Sequence, residues 1–247
     1  MGLIDVHAHL GYWPFPIPAA DPVENLVRLS RKYDIDLTLV SSALSIGYDM
    51  AEGNREVAEA LRRTDVLRGY VYVNPNYHHE SCREMDTYLA QPGFVGVKIH
   101  PSYAACPLGS PALSSLIDEV AERTTLLKVH TYAAGDALAL RPEAERHPSL
   151  NLIMAHACAG ASAVAAEVAA DCPNVYLEFC CSLAERGRVE TALRLCGSRQ
   201  IVFGSDMDLL DPAWTLGMFD GARLSEEDRR AIMHDNAARL LGLADTA

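Results

Sequence analysis

Apolar side chains along this chain come in short runs of β type, separated by stretches with the 3.6-residue period of a helix. The runs are Leu3–His7, Asp36–Ser42, Gly69–Asn74, Gly96–His100, Thr125–His130, Asn151–His156, Asn174–Cys180 and Ile201–Asp206. Their starts lie 23 to 33 residues apart, room for a strand, a loop and a covering helix, so the spacing predicts parallel βα units rather than hairpins. Runs such as Leu37-Thr38-Leu39-Val40 are apolar on both faces in their middle, as strands buried under helices require. Between the runs, Asp21-Pro22 and Ser110-Pro111 each set a capping residue and a first-turn proline ahead of a helical pattern. Ser225, with Asp228 three residues on, predicts a last outer helix that ends at Gly242. From Gly135 to Ser149 the prolines at 142 and 148 leave room for only a short helix. Eight units use nearly all of the 247 residues. The expected fold is therefore one closed (β/α)8 TIM barrel over residues 1–247 without an added β-sandwich domain, and an open doubly wound sheet is the alternative.

The polar residues favour closure. His7 and His9, His100, His130, His156 and Asp206 fall at the C-terminal ends of the first, fourth, fifth, sixth and eighth runs. In a barrel those ends ring one mouth, where barrel enzymes place their chemistry. Strand alternation puts Asp5, His7 and His9 on one face, and two imidazoles from one strand form a rigid half of a coordination sphere. Histidines that merely satisfy a core have no reason to collect on four strand ends, with Asp206 on a fifth.

Composition narrows the function classes. With 49% apolar and 22% charged residues and no low-complexity run, the chain can bury a sizeable core. No stretch of about 18 apolar residues occurs, and no charged leader with an apolar core precedes the first run, so a soluble, unexported protein without a membrane partner is expected. Seven cysteines without a CxxC pair fit a reducing cytoplasm. A net charge of −12 argues against nucleic acid as a partner, since phosphate binding rests on clustered Lys and Arg. A small-molecule substrate is expected, and a homo-oligomer stays open.

Several segments together resemble a known family: Ile4-Asp5-Val6-His7-Ala8-His9, Gly93 through Pro101, Lys128-Val129-His130-Thr131, Ala155-His156, Val202 through Asp206 and Asn236 through Leu243. Their order and positions are similar to the metal-dependent amidohydrolase superfamily, in the branch that includes aminocarboxymuconate semialdehyde decarboxylase. The resemblance implies that His7, His9, His130 and Asp206 ligate one divalent metal. Zinc suits this ligand set, with Mn²⁺, Fe²⁺ or Co²⁺ as substitutes and a second metal left open. Such a metal lowers the pKa of its water toward about 7. The resemblance also implies that Asp206 accepts a proton and that His156 orients the reacting group, making these two the expected catalytic residues.

Other residues carry weaker expectations. Lys98 is either carbamylated, as in binuclear relatives, or paired with Asp5 or Glu178, and the ion pair is favoured because a lone buried ammonium is costly. His100 either lines the pocket or caps its strand. Tyr103, Trp13 and Tyr12 are further substrate-binding candidates, the last two from the aromatic, proline-rich loop Gly11–Pro18, expected to cover the mouth. His78, His79, His147 and His234 read as surface residues, and one of Cys158, Cys180 and Cys181 as a pocket neighbour. The leading reading is a hydrolase of a small amide, lactone or related cyclic C–N or C–O bond, and the nearest rival is a non-oxidative decarboxylase. The missing β-sandwich shifts weight toward the compact decarboxylase and lactonase branch. A TatD-type nuclease fits less well, because a glutamate would be expected where Lys98 and His100 stand. A catalytically silent scaffold is opposed by the complete ligand set.

Overall fold

The computed structural model describes residues 2–14, 20–183 and 185–243. Positions 15–18 of the proline-rich loop lie outside them. In chain order the elements run β1 (Leu3–Leu10), α1 (Pro22–Lys32), β2 (Ile35–Ser42), α2 (Ala43–Gly47), α3 (Met50–Leu61), β3 (Leu67–Tyr72), α4 (His78–Tyr88), β4 (Phe94–Ile99) and α5 (Pro111–Arg123). There follow β5 (Leu126–His130), α6 (Ala134–Arg146), β6 (Asn151–Ala155), α7 (Ser162–Asp171), β7 (Val175–Glu178), α8 (Arg188–Cys196), β8 (Ile201–Val202) and α9 (Pro212–Asp220). The chain closes with α10 (Glu226–Arg230), a π turn and α11 (Asn236–Leu240).

The eight strands form one sheet in the order β1 to β8, each pairing in parallel with the next. Closure comes from the segment after β8: Val6 N donates to Phe203 O (3.0 Å), Asp206 N donates to His7 O (2.8 Å), and Ala8 bridges Met207 in parallel. The sheet is therefore a (β/α)8 barrel rather than an open sheet, and the first and last strands meet as their polar ends anticipated.

Capping follows the sequence signals in part. Asp21 accepts from Glu24 N at the start of α1, and Ser225 accepts from Asp228 N at the start of α10. Ser110 precedes α5 without a side-chain cap bond, and Pro111 alone fixes the first turn. The segment after Gly135 departs from expectation, because α6 runs 13 residues with Pro142 inside it. The N–H that Pro142 lacks would have bonded the carbonyl of Leu138, a residue 56% exposed, so that carbonyl can turn to water.

Inside the barrel Leu37, Leu39, Tyr70, Leu126, Ile153, Tyr176 and Val202 form an apolar layer, against which Ala237 and Ala238 of α11 pack. A second, larger cluster fills the space between the strands and the helices. Asn236, fully buried, donates from Nδ2 to Ser198 O (2.7 Å) and Ile201 O (2.8 Å), which ties the last helix to β8 and so to the barrel seam. Asn236→Ala leaves those carbonyls unpaired in the interior. The variant should lose about 1–3 kcal/mol of stability in urea denaturation while keeping its metal-binding capacity.

Candidate metal centre and active-site pocket

Above the apolar layer lies a charged one. Asp5, Lys98, Lys128 and Glu178 are all fully buried there. Asp5 accepts from Ser205 N (3.0 Å), from Ser205 Oγ and from His7 N (2.9 Å), binding the segment after β8 to β1. Lys128, which sequence reasoning passed over, donates to Val6 O (3.1 Å) and lies over the Tyr70 ring. Its position two residues before His130 on one strand was the available signal. Lys98 corrects an expectation: among the described residues its Nζ makes no ion pair and no hydrogen bond. Asp5 is already engaged by Ser205 and His7, and Glu178 by His7 and Cys180. Burial pulls the Lys98 pKa down to about 8, partly countered by Asp206. Burial likewise lifts Asp5 to about 6 and Glu178 to about 7, against the hydrogen bonds those carboxylates accept.

The next layer is the mouth. Between the Asp5–Thr38 and Ala8–Val40 pairs two residues of β1, Val6 and His7, oppose one of β2, Leu39, and this irregularity re-aims the His7 side chain. Asp206 follows β8 in a left-handed conformation (φ 64°). His156 begins a run of four left-handed residues through Ala159, with φ between 43° and 67°, none of them glycine. Such a run is costly and persists only where its surroundings hold it. Arg188, buried and also absent from the sequence reading, does much of that holding. Its guanidinium donates to Ala159 O (2.8 Å), Leu183 O (2.6 Å) and, at 3.4 Å, His156 O, clamping the loops after β6 and β7 together. Cys158 N donates to Thr131 Oγ1 (3.3 Å) within the same turn.

His7, His9 and Asp206 converge, with one ligand atom from each within 4.8 Å of the others. His7 Nε2 is 3.5 Å and His9 Nε2 3.0 Å from Asp206 Oδ1. Those spacings bracket the edge of about 3.3 Å expected of a tetrahedral site with ligand bonds of ~2.0–2.1 Å. The proton positions follow from the outer partners. His7 Nδ1 faces Glu178 Oε2 at 2.7 Å, so the ring donates there and Nε2 carries a lone pair toward Asp206. Both His7 Nε2 and Asp206 Oδ1 are buried without a hydrogen-bond partner among the described residues. A cation between them would satisfy such buried lone pairs, and the donor set fits a divalent metal.

His130 is beside this group rather than inside it. Its Nδ1 lies 3.0 Å from His156 Nε2, and its ring stacks on His100 with centroids 3.8 Å apart. His156 Nδ1 is 2.6 Å from Cys180 O, which can only accept, so His156 Nε2 is unprotonated and takes the His130 Nδ1 proton. His130 Nε2 is left with its lone pair free to ligate. Burial drives all five imidazoles toward the neutral, ligating form. His7 is pushed well below its ordinary range and His9 below it, His130 falls far below, His156 drops to about 4 and His100 to about 2. Burial acts to raise Asp206, but the nearby His9 and His156 imidazoles and Lys98 outweigh it and hold the carboxyl below its usual range.

Residues 4–243 match the sequence model of the amidohydrolase family. The chain belongs to that family. No curated protein matches it by sequence. Among solved structures, this amidohydrolase superposes on 2,6-dihydroxybenzoate decarboxylase from Rhizobium at 15% identity and a TM-score of 0.79, over 98% of this chain and 99% of the other. It also superposes on a dihydroxybenzoic acid decarboxylase from Polaromonas sp. JS666, with bound manganese and the inhibitor 2-nitroresorcinol, at 16% identity and a TM-score of 0.79 over 98% and 97% of the two chains. A putative 2-pyrone-4,6-dicarboxylic acid hydrolase from Pseudomonas putida follows at 17% identity and a TM-score of 0.70, over 98% of each chain. At these identities the likeness is one of fold.

A cavity of about 370 Å³ opens on the His7–His9–Asp206 group and is lined by His9, Trp13, His100, Tyr103, His130, Tyr132, His156, Cys181, Ser182, Asp206, Leu209 and Leu210. His100 does both things left open for it, lining the cavity while its Nδ1 accepts from Tyr103 N (3.3 Å). Trp13 packs edge-on against His9 at 5.0 Å. Tyr12 corrects another expectation. It is 58% exposed with its hydroxyl on Ala20 O, because the chain turns at buried Gly11 and only the next-but-one ring reaches the cavity. Lys98 lies beneath the cavity and does not line it. Tyr132 and Leu209–Leu210 were missed, being loop residues with no periodic signal. Of the cysteines, Cys181 borders the pocket, and Cys180 contacts His7 Nδ1 at 3.1 Å.

Glu178 fixes the His7 tautomer, so Glu178→Gln tests the coupling between the charged layer and the mouth. Metal affinity, measured by competition with a chromophoric chelator, should fall by about 10–100-fold with the fold intact.

Proposed function

We propose that this chain catalyses the non-oxidative decarboxylation of a small aromatic carboxylic acid bearing a hydroxyl beside the carboxylate. The observation that supports this most is the pocket lining. The rings of Trp13, Tyr103, Tyr132, His100 and His130 surround a cavity at the small end of ligand-site volumes, with Asp206 at its floor and, among the described lining residues, no Lys or Arg. A flat ring packs well between such walls. An anionic group on it would have to be met at the metal-ligating end. The dihydroxybenzoate decarboxylases of like fold agree with this choice, which displaces hydrolysis as the leading reading.

The overall change is ArCO₂⁻ + H⁺ → ArH + CO₂. The electron pair of the broken C–C bond stays on the ring carbon, which must take a proton where the carboxylate was. A divalent cation held by His7, His9, His130 and Asp206 would supply positive charge to bind the carboxylate and the adjacent hydroxyl oxygen. Asp206, ionised and only 5% exposed, is the group suited to receive a proton at its carboxylate and return it to the ring carbon. His156, held by Cys180 O, keeps His130 oriented and presents no charge of its own. Leu209 and Leu210 keep water from the departing carboxylate, which favours loss of neutral CO₂ over a solvated anion.

The test is turnover of a panel of hydroxybenzoic acids by metal-loaded protein in D₂O. The expected product carries one deuterium at the vacated carbon, with CO₂ released and no oxygen from ¹⁸O-labelled water. Asp206→Asn should keep most of its metal and lose on the order of 10²-fold or more in turnover. A lactone or amide panel that yields ¹⁸O-labelled product, with no CO₂ from any acid, would restore the hydrolase reading.

A further inference from the structure

Outside the barrel, α4 and α5 bring His78, Cys82 and Glu119 together so that one ligand atom from each lies within 4.8 Å of the other two. His78 and Cys82 are four residues apart and so share one face of α4, while Glu119 comes from α5. His78 Nδ1 is 3.9 Å from Cys82 Sγ, close to the N···S edge of about 3.6 Å that zinc bonds of ~2.0–2.1 Å and ~2.3 Å would give at a tetrahedral angle. The other ring nitrogen, Nε2, lies 3.3 Å from Ser115 Oγ on α5, the kind of outer partner that fixes the tautomer and plane of a ligating imidazole. All three side chains are half-buried, so the group is partly preorganised yet open to solvent.

Glu119 is paired with Arg123 at 2.6 Å, but Arg123 also holds Asp86 at 2.8 Å, so its charge keeps a partner if Glu119 turns toward a cation. Burial and the Glu119 carboxylate raise the Cys82 pKa, so the thiol is protonated when free.

We propose that His78, Cys82 and Glu119 form a second, peripheral site for a zinc-type divalent cation, which staples α4 to α5. On binding, the Cys82 S–H bond is replaced by a sulfur–metal bond and the proton leaves to solvent, with no change of oxidation state. The thiolate selects for zinc and cobalt over manganese and magnesium, unlike the nitrogen and oxygen set at the mouth. The site is independent of the reaction the barrel catalyses.

The test is a Co²⁺ titration of protein whose mouth site has first been filled with one equivalent of Zn²⁺, run beside Cys82→Ser and Glu119→Gln with the fold checked by circular dichroism. The expected result is a thiolate-to-cobalt charge-transfer band that saturates at one further equivalent. It should be absent in Cys82→Ser and at least tenfold weaker in affinity in Glu119→Gln, and Zn²⁺ should raise the melting temperature of the parent but not of Cys82→Ser. No band in the parent, or a band that survives in Cys82→Ser and so belongs to Cys180 or Cys181 at the mouth, would overturn the proposal.

Discussion

The structure depends on lone pairs gathered where they cannot reach water. His7 Nε2 and Asp206 Oδ1 are buried, close and unpartnered, and each is held in that state from behind. Glu178 accepts a hydrogen bond from His7 Nδ1, and the backbone of Asp206 is pinned to His7 O. Hydrogen bonds could have relieved this crowding cheaply had the outer partners been absent. Because they are present, the lone pairs stay gathered at one point beside the barrel seam, where a positive charge would satisfy them.

The same residues that make the site also close the barrel. Asp5 ties Ser205 to β1, the β1 irregularity turns His7 inward, and Val6 O receives both Lys128 and the Tyr70 hydroxyl. On the opposite side, Arg188 spans the loops after β6 and β7 and lets His156 keep a left-handed backbone. A chain of proton assignments then runs from Cys180 O through His156 to His130. Position and protonation are thus set by one network, which is why neutral imidazoles can be maintained in a layer just above two buried lysines.

Much of this was legible in the sequence, and the reasons are physical. Parallel strands buried on both faces must be apolar runs, and run starts 23 to 33 residues apart leave room for a covering helix, so eight units could be counted directly. His7 and His9 share a strand face by alternation, and Asp206 and His156 end runs. What failed to show was pairing across the barrel. Lys98 looked like half of an ion pair because the sequence does not say that Ser205 and Cys180 satisfy both carboxylates first. Arg188 opens a helix and reads there as an ordinary surface cation, whereas its carbonyl partners lie on loops with no periodicity. Tyr12 and Trp13 could not be told apart without knowing how the chain turns at Gly11. Pro142 suggested a helix break, and the break was avoided because the orphaned carbonyl belongs to an exposed residue.

Anomalous diffraction from crystals of the protein loaded with Mn²⁺ or Zn²⁺ tests the central claim most directly. A single strong mouth peak within bonding distance of His7 Nε2, His9 Nε2 and Asp206 is the result expected from the lone-pair arrangement. A peak instead among His7 Nδ1, Glu178 and Cys180, or a mouth that stays without one at saturating metal, would contradict it.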